Sequence, residues 1–138
     1  MSEKKIKITI PGDPIPWARP GQSGKTRFND QKAEMYAAGM VAKVQMRAAG
    51  LTPFVGPIRA QFQFLMPIPK YRKNEIVGRL IAGDIVWHFV KPDTSNLIKF
   101  YEDAFNGIVF GDDCQIADLS GWKQYDVIPE TIVTVGEL

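Results

Sequence analysis

Cysteine and histidine are nearly absent from the 138-residue chain: Cys114 and His88 are the only examples of each. One cysteine excludes an internal disulfide framework and any zinc site built on cysteines. One histidine, with no serine close to it in sequence, leaves a hydrolase triad or a histidine-rich metal centre without support. No apolar run reaches membrane-spanning length. The opening MSEKKIKITIPG passes directly from charge into strand-like alternation, unlike a signal peptide, so the cytoplasm is the expected location. Repeats, low-complexity tracts and linkers are also missing. Residues 1–138 therefore read as one domain, long enough to bury a core without staples.

What the chain does contain is unevenly placed. The formal net charge is only +2, an ordinary value, but its distribution is polar. Lys4, Lys5, Lys7, Arg19, Lys25 and Arg27 load the first part of the chain, and Lys70, Arg72 and Lys73 form a second basic cluster. The acidic residues gather late. Such a pattern suits a phosphate-gripping rim around an acidic pocket, and it equally describes solvated loops and strand ends.

Residues 5–11 alternate, with Ile6, Ile8 and Ile10 on one face, and predict a half-buried strand. The proline- and glycine-rich GDPIPWARPGQSGKTRFND predicts a long loop, followed by a helix from about Asp30, as N-cap, to Ala49 before Gly50. Pro57 to Pro67 alternates again as a second strand. Residues 68–83 allow a short helix, Asp93 to Asn106 predicts another closed by Gly107, and 115–126 and 131–136 predict two late strands. The expected architecture is α+β, a mixed or antiparallel sheet of four strands packed with two main helices.

The segment from Lys91 to Ile116, KPDTSNLIKFYEDAFNGIVFGDDCQI, concentrates the chemistry. It holds Asp93, Glu102, Asp103, Asp112 and Asp113 together with Lys99. Magnesium prefers carboxylate oxygens while keeping several waters, and such a cation activates water for attack on a phosphodiester. On a helical wheel Leu97, Ile98, Tyr101, Ala104 and Phe105 form an apolar face, whereas Asn96, Lys99 and Asp103 line the opposite one. Asp93 stands at the N-terminal edge of that strip, and a short hairpin is expected to bring Asp112 and Asp113 back beside the helix start. Each feature also has a plain structural reading: an N-cap, an i,i+4 ion pair, a Gly-Asp-Asp turn. His88 reads as structural or DNA-facing. Trp17, Trp87 and Trp122 read as core residues or as stacking platforms for bases.

These residues resemble the signature of the RusA-type Holliday junction resolvases, endonucleases common in phages and prophages. Lys91, Pro92, Asp93, Asn96, Leu97 and Lys99 match the first part of that signature. Asp103, Ala104, Asn106 and Gly107 match the second, and Asp112, Asp113, Gln115 and Ile116 the third. The opening GDPIPWARP is similar to the start of the family as well. The resemblance implies a homodimer that cuts four-way junctions, in recombination and repair, with magnesium or with manganese in its place. It assigns the metal to Asp93, residue 95 and Asp113 and a catalytic role to Lys99, and Asp112 or Asp103 stands near enough in sequence to compensate for a missing ligand. Arg19, Arg27, Lys70, Arg72, Lys73 and Lys91 are the expected DNA contacts. One position departs from the pattern: Ser95 stands where the family has an aspartate. The alternative implied by that departure is a protein that binds branched DNA without cutting it.

Overall fold

Three alternating segments build the inward face of one sheet. In the computed structural model, which describes residues 4–18 and 25–138 with the side chains of 25–30 excepted, β1 (Lys5–Pro11), β2 (Ile58–Met66) and β4 (Glu130–Glu137) are its first three neighbours. Ile6, Ile8 and Ile10, then Ala60, Phe62 and Phe64, then Val133 and Val135 point inward and are buried. Lys5, Lys7, Arg59 and Gln61 alternate with them on the open face. The period of two along a strand is sufficient to fix this arrangement.

β3 (Ile116–Tyr125) completes the sheet as an edge strand. The order is β1-β4-β2-β3, with β1–β4 and β4–β2 antiparallel and β2–β3 parallel, so the sheet is mixed. A parallel pair needs a long crossover. The chain supplies it between β2 and β3, through α2 (Lys73–Ile81) and α3 (Thr94–Phe105). The segment that carries the acidic motif is thus the crossover itself.

α1 (Lys25–Ala48) and α3 cover the buried face. Ala38, Ala42 and Met46 of α1 and Leu97, Phe100, Tyr101, Ala104 and Phe105 of α3 join the strand residues in one core cluster. The small side chains of Ala38, Ala42 and Ala104 let the two helices approach closely. A Cβ on Gly39 would lie 2.9 Å from the carbonyl oxygen of Ala104 and 2.9 Å from Ile108 Cδ1. Glycine is therefore required by the helix crossing, although it weakens a helix interior by about 1 kcal/mol. Phe62, Phe64, Phe100 and Phe105 are fully buried; truncating such a residue to alanine costs about 3–5 kcal/mol.

Most sequence expectations hold here, with two corrections. α1 starts at Lys25 rather than at Asp30, because Lys25-Thr26-Arg27-Phe28-Asn29 holds neither glycine nor proline and continues the helix upstream. Phe100 is fully buried although the wheel left it outside the apolar face; the inward arc of α3 is wider than a single stripe because α1 and the sheet flank it on two sides.

Candidate active site

Asp93 occupies the N-cap position of α3, where an aspartate ordinarily accepts hydrogen bonds from the first-turn amides. Its backbone does start the helix, since Leu97 N donates to Asp93 O at 3.1 Å. Its side chain makes no cap hydrogen bond and is exposed. Asp93 thus starts the helix through its backbone, and its carboxylate is left exposed beside the first turn.

The residue that sets the position of Asp93 was not legible in the motif. Lys123 on β3 donates from Nζ to Val90 O and to Pro92 O, both at 2.6 Å. It thereby clamps the segment on either side of the cis Lys91–Pro92 bond. Burial pushes its pKa down, while the negative charge of Asp93 favours the protonated form. The only sequence signal was a lysine within a late strand, and its link to Asp93 is a tertiary one.

Along α3, Ser95, Asn96 and Lys99 are exposed. The loop after β1 lies against this strip: Trp17 N donates to Asn96 O at 2.9 Å, and Ile15 N to the Tyr101 hydroxyl at 3.0 Å. Lys99 Nζ stands 4.9 Å from the centroid of the Trp17 ring, a cation–π contact. One turn further on, Glu102 and Asp103 are half-buried. Burial raises the pKa of Glu102, and the charges of Asp113 and Asp103 raise it further against the opposing effect of Lys99. Burial likewise raises Asp103, which Lys99 lowers and Asp113 raises.

The turn after α3 separates the two neighbouring aspartates. Gly107, at φ 81°, allows the chain to leave the helix in the left-handed region. Asp112 then closes a capping box: its side chain accepts from Cys114 N at 3.1 Å, and Gln115 Oε1 accepts from Asp112 N at 3.0 Å. The hydrogen bond from Cys114 holds the Asp112 carboxyl below its usual range. Gln115 Nε2 donates to Phe54 O and Gly56 O, both at 3.0 Å, and so pins the turn to the segment before β2. Asp112 is committed to the turn, whereas Asp113 spends no side chain on this cap. The turn brings Asp113 near α3, since its charge is felt at Glu102 and Asp103.

Among the described residues no three His, Cys, Asp or Glu side chains converge on one point. That excludes a closed carboxylate cage but not a magnesium site, since magnesium is usually held by one or two carboxylates plus substrate phosphates. An oxygen-only donor set with two uncommitted carboxylates, Asp93 and Asp113, fits that requirement.

The expected DNA contacts are distributed more widely. Lys70 and Lys73 are exposed at the start of α2. Arg72 is tied to Glu75 at 3.0 Å and lies over the Tyr125 ring at 5.8 Å, so its guanidinium is already engaged. Arg19 lies outside the described residues, as does the side chain of Arg27 in the first turns of α1. Lys91, with Asp93 and Asn96, lines a cleft of about 680 Å³ whose other walls include Trp17, Met66 and Pro67. His88 is buried and packs 4.9 Å from the Tyr125 ring, and its pKa is lowered by burial and then by Lys123. Trp87 is 54% exposed, and Trp122 donates from Nε1 to Gln124 at 2.8 Å.

A mixed sheet covered by helices on one side, with exposed Asp93 and Lys99 on its crossover segment, defines a small α+β protein. The chain belongs to the endodeoxyribonuclease RusA family, whose sequence model matches residues 11–136. It is also similar to the uncharacterized protein YqaN of Bacillus subtilis (strain 168), 30% identical over 137 residues, covering 96% of each chain.

Proposed function

We propose that the protein is a structure-selective endodeoxyribonuclease that cuts four-way DNA junctions. Membership in the family supports the reaction class. The observation that carries the site is the Asp93 carboxylate, placed at a helix N-terminus yet free of any cap hydrogen bond. Asp93 and Asp113 would hold magnesium, or manganese in its place, with the Ser95 hydroxyl as a neutral third ligand or as a hydrogen-bond partner to a bound water. A divalent cation there supplies an activated water and neutralises charge at the scissile phosphate. Lys99 places a compact positive charge on the same helix face, where it stabilises negative charge developing on the phosphate or the leaving oxygen. The Trp17 ring limits where that ammonium group can lie. Lys70, Lys73 and Lys91 contact the DNA backbone. A four-way junction has near two-fold symmetry and needs two incisions, which a symmetric homodimer provides.

Ser95 supports a second reading, a protein that binds the junction without cutting it, because one negative charge is missing from the family's ligand set. The test is incubation of the purified protein with a labelled four-way junction and with linear duplex of the same sequence, with and without magnesium or manganese. Paired symmetric incisions of the junction alone, dependent on the metal, are expected. Binding without incision establishes the second reading, and equal affinity for both DNAs at matched salt overturns both.

A further inference from the structure

The cleft beside Asp93 is larger than metal or phosphate chemistry requires, and its lining is of the wrong kind for either. Its volume is about 680 Å³, and Pro14, Pro16, Trp17, Met66, Pro67 and Pro92 form most of its wall. Rigid apolar rings of this kind attract a flat, apolar-faced ligand. The polar groups are few and sit among them: Asp13, Lys91, Asp93 and Asn96. A carboxylate and a side-chain amide together offer acceptors and donors, the pattern that reads the hydrogen-bonding edge of a base.

We propose that this cleft receives one unpaired nucleobase from the strand being cut, adjacent to the scissile phosphate. The inference rests on the nuclease reading above and adds to it a binding site for the base. Three features favour DNA as the occupant. The cleft is continuous with Asp93, so a nucleotide whose phosphate reaches that carboxylate has its base within reach of the cleft. Lys91 on its wall supplies the charge that a neighbouring phosphate needs. Trp17 joins the cleft to the catalytic strip, through its backbone bond to Asn96 and through the Lys99 ammonium over its ring.

The cleft also gives a physical basis for acting at branches. A base within duplex is stacked and paired, and extracting it has a cost; that cost is lowest where pairing is already broken. A branch point supplies such a base. Linear duplex, by contrast, presents a phosphate but leaves the cleft empty.

The experiment uses the intact protein and four-way junctions carrying 2-aminopurine in turn at each position around the branch, bound without divalent metal. At one position the fluorescence is expected to change on binding of wild-type protein. With Trp17→Ala, at saturating protein, it should stay at the value of the free junction. An abasic analogue at that position should weaken wild-type binding by about tenfold or more, and weaken Trp17→Ala no further. Trp17→Phe should recover part of both effects. If Trp17→Ala does not fold, Pro67→Glu, at an exposed wall residue, carries the same expectation. Junction binding with no responsive position overturns the cleft inference and leaves the nuclease reading intact. So does an unchanged response in the variants, or a change of oligomeric state, which would mark the cleft as a contact between copies. If wild-type protein shows no preference for junction over duplex, the nuclease reading fails first. The cleft is then decided on single-stranded DNA carrying 2-aminopurine, where a fluorescence change lost in Trp17→Ala sustains it and no change overturns it.

Discussion

Lys123 donates a hydrogen bond to the carbonyl oxygen of Pro92 at 2.6 Å, one residue ahead of the Asp93 carboxylate. With its second bond to Val90 O, it anchors the start of the acidic motif to the edge strand of the sheet. Lys123→Met keeps the apolar stem but removes both bonds. The expected result is a fall in kcat on the order of 100-fold, the cost of misplacing a reacting group by about 1 Å. Affinity for the junction should change little, and Lys123→Arg should recover part of the rate. A variant with wild-type kcat would remove Lys123 from the positioning of the site.

Asp112 and Asp113 should separate cleanly. Asp112→Asn keeps a good capping side chain and is expected to leave both the fold and cleavage near wild type, whereas Asp112→Ala should lower the melting temperature through loss of the cap. Asp113→Asn should abolish cleavage with the melting temperature and junction binding retained. Equal loss of cleavage in Asp112→Asn and Asp113→Asn would mean that both carboxylates act at the phosphate.

The strands and α3 were legible because their signals are local: a period of two in Ile6, Ile8 and Ile10, and a helical period in Leu97, Tyr101, Ala104 and Phe105. The motif residues were legible for the same reason. What escaped was set by packing between distant segments. Phe100 is buried because two layers flank α3, Gly39 is needed because Ala104 lies opposite it, and Lys123 reaches Pro92 across 31 positions. The free state of Asp93 was equally hidden, since Asp before Thr-Ser reads as an ordinary cap and only geometry shows that it is not one.

Ser95→Asp restores a carboxylate on the exposed first turn of α3. A hard cation gains from each added carboxylate, and without metal the new charge repels Asp93. Magnesium should therefore raise the melting temperature more in the variant than in wild type, and half-maximal cleavage should require less of it. If neither quantity changes, residue 95 does not face the metal.

His88 predicts a specific sensitivity to acid. Its pKa is lowered in the folded protein by burial, then by Lys123, from an ordinary value near 6.5. Below that value the unfolded chain takes up a proton that the folded chain resists, so stability present at neutral pH is lost as pH falls through the window. Urea unfolding should show a steeper drop between neutral pH and about pH 5 in wild type than in His88→Phe. Parallel curves would show that His88 titrates alike in both states.

The crossover arrangement has a consequence for how the protein comes into being. Asp93 and Lys99 are synthesised before the strand that carries Lys123 exists, and the turn with Asp113 is fixed by Gln115 to a segment preceding β2. A nascent or proteolytically nicked chain can hold every motif residue and still lack a working centre. The Lys123 clamp beside Asp93 therefore forms only once the last crossover strand has joined the sheet.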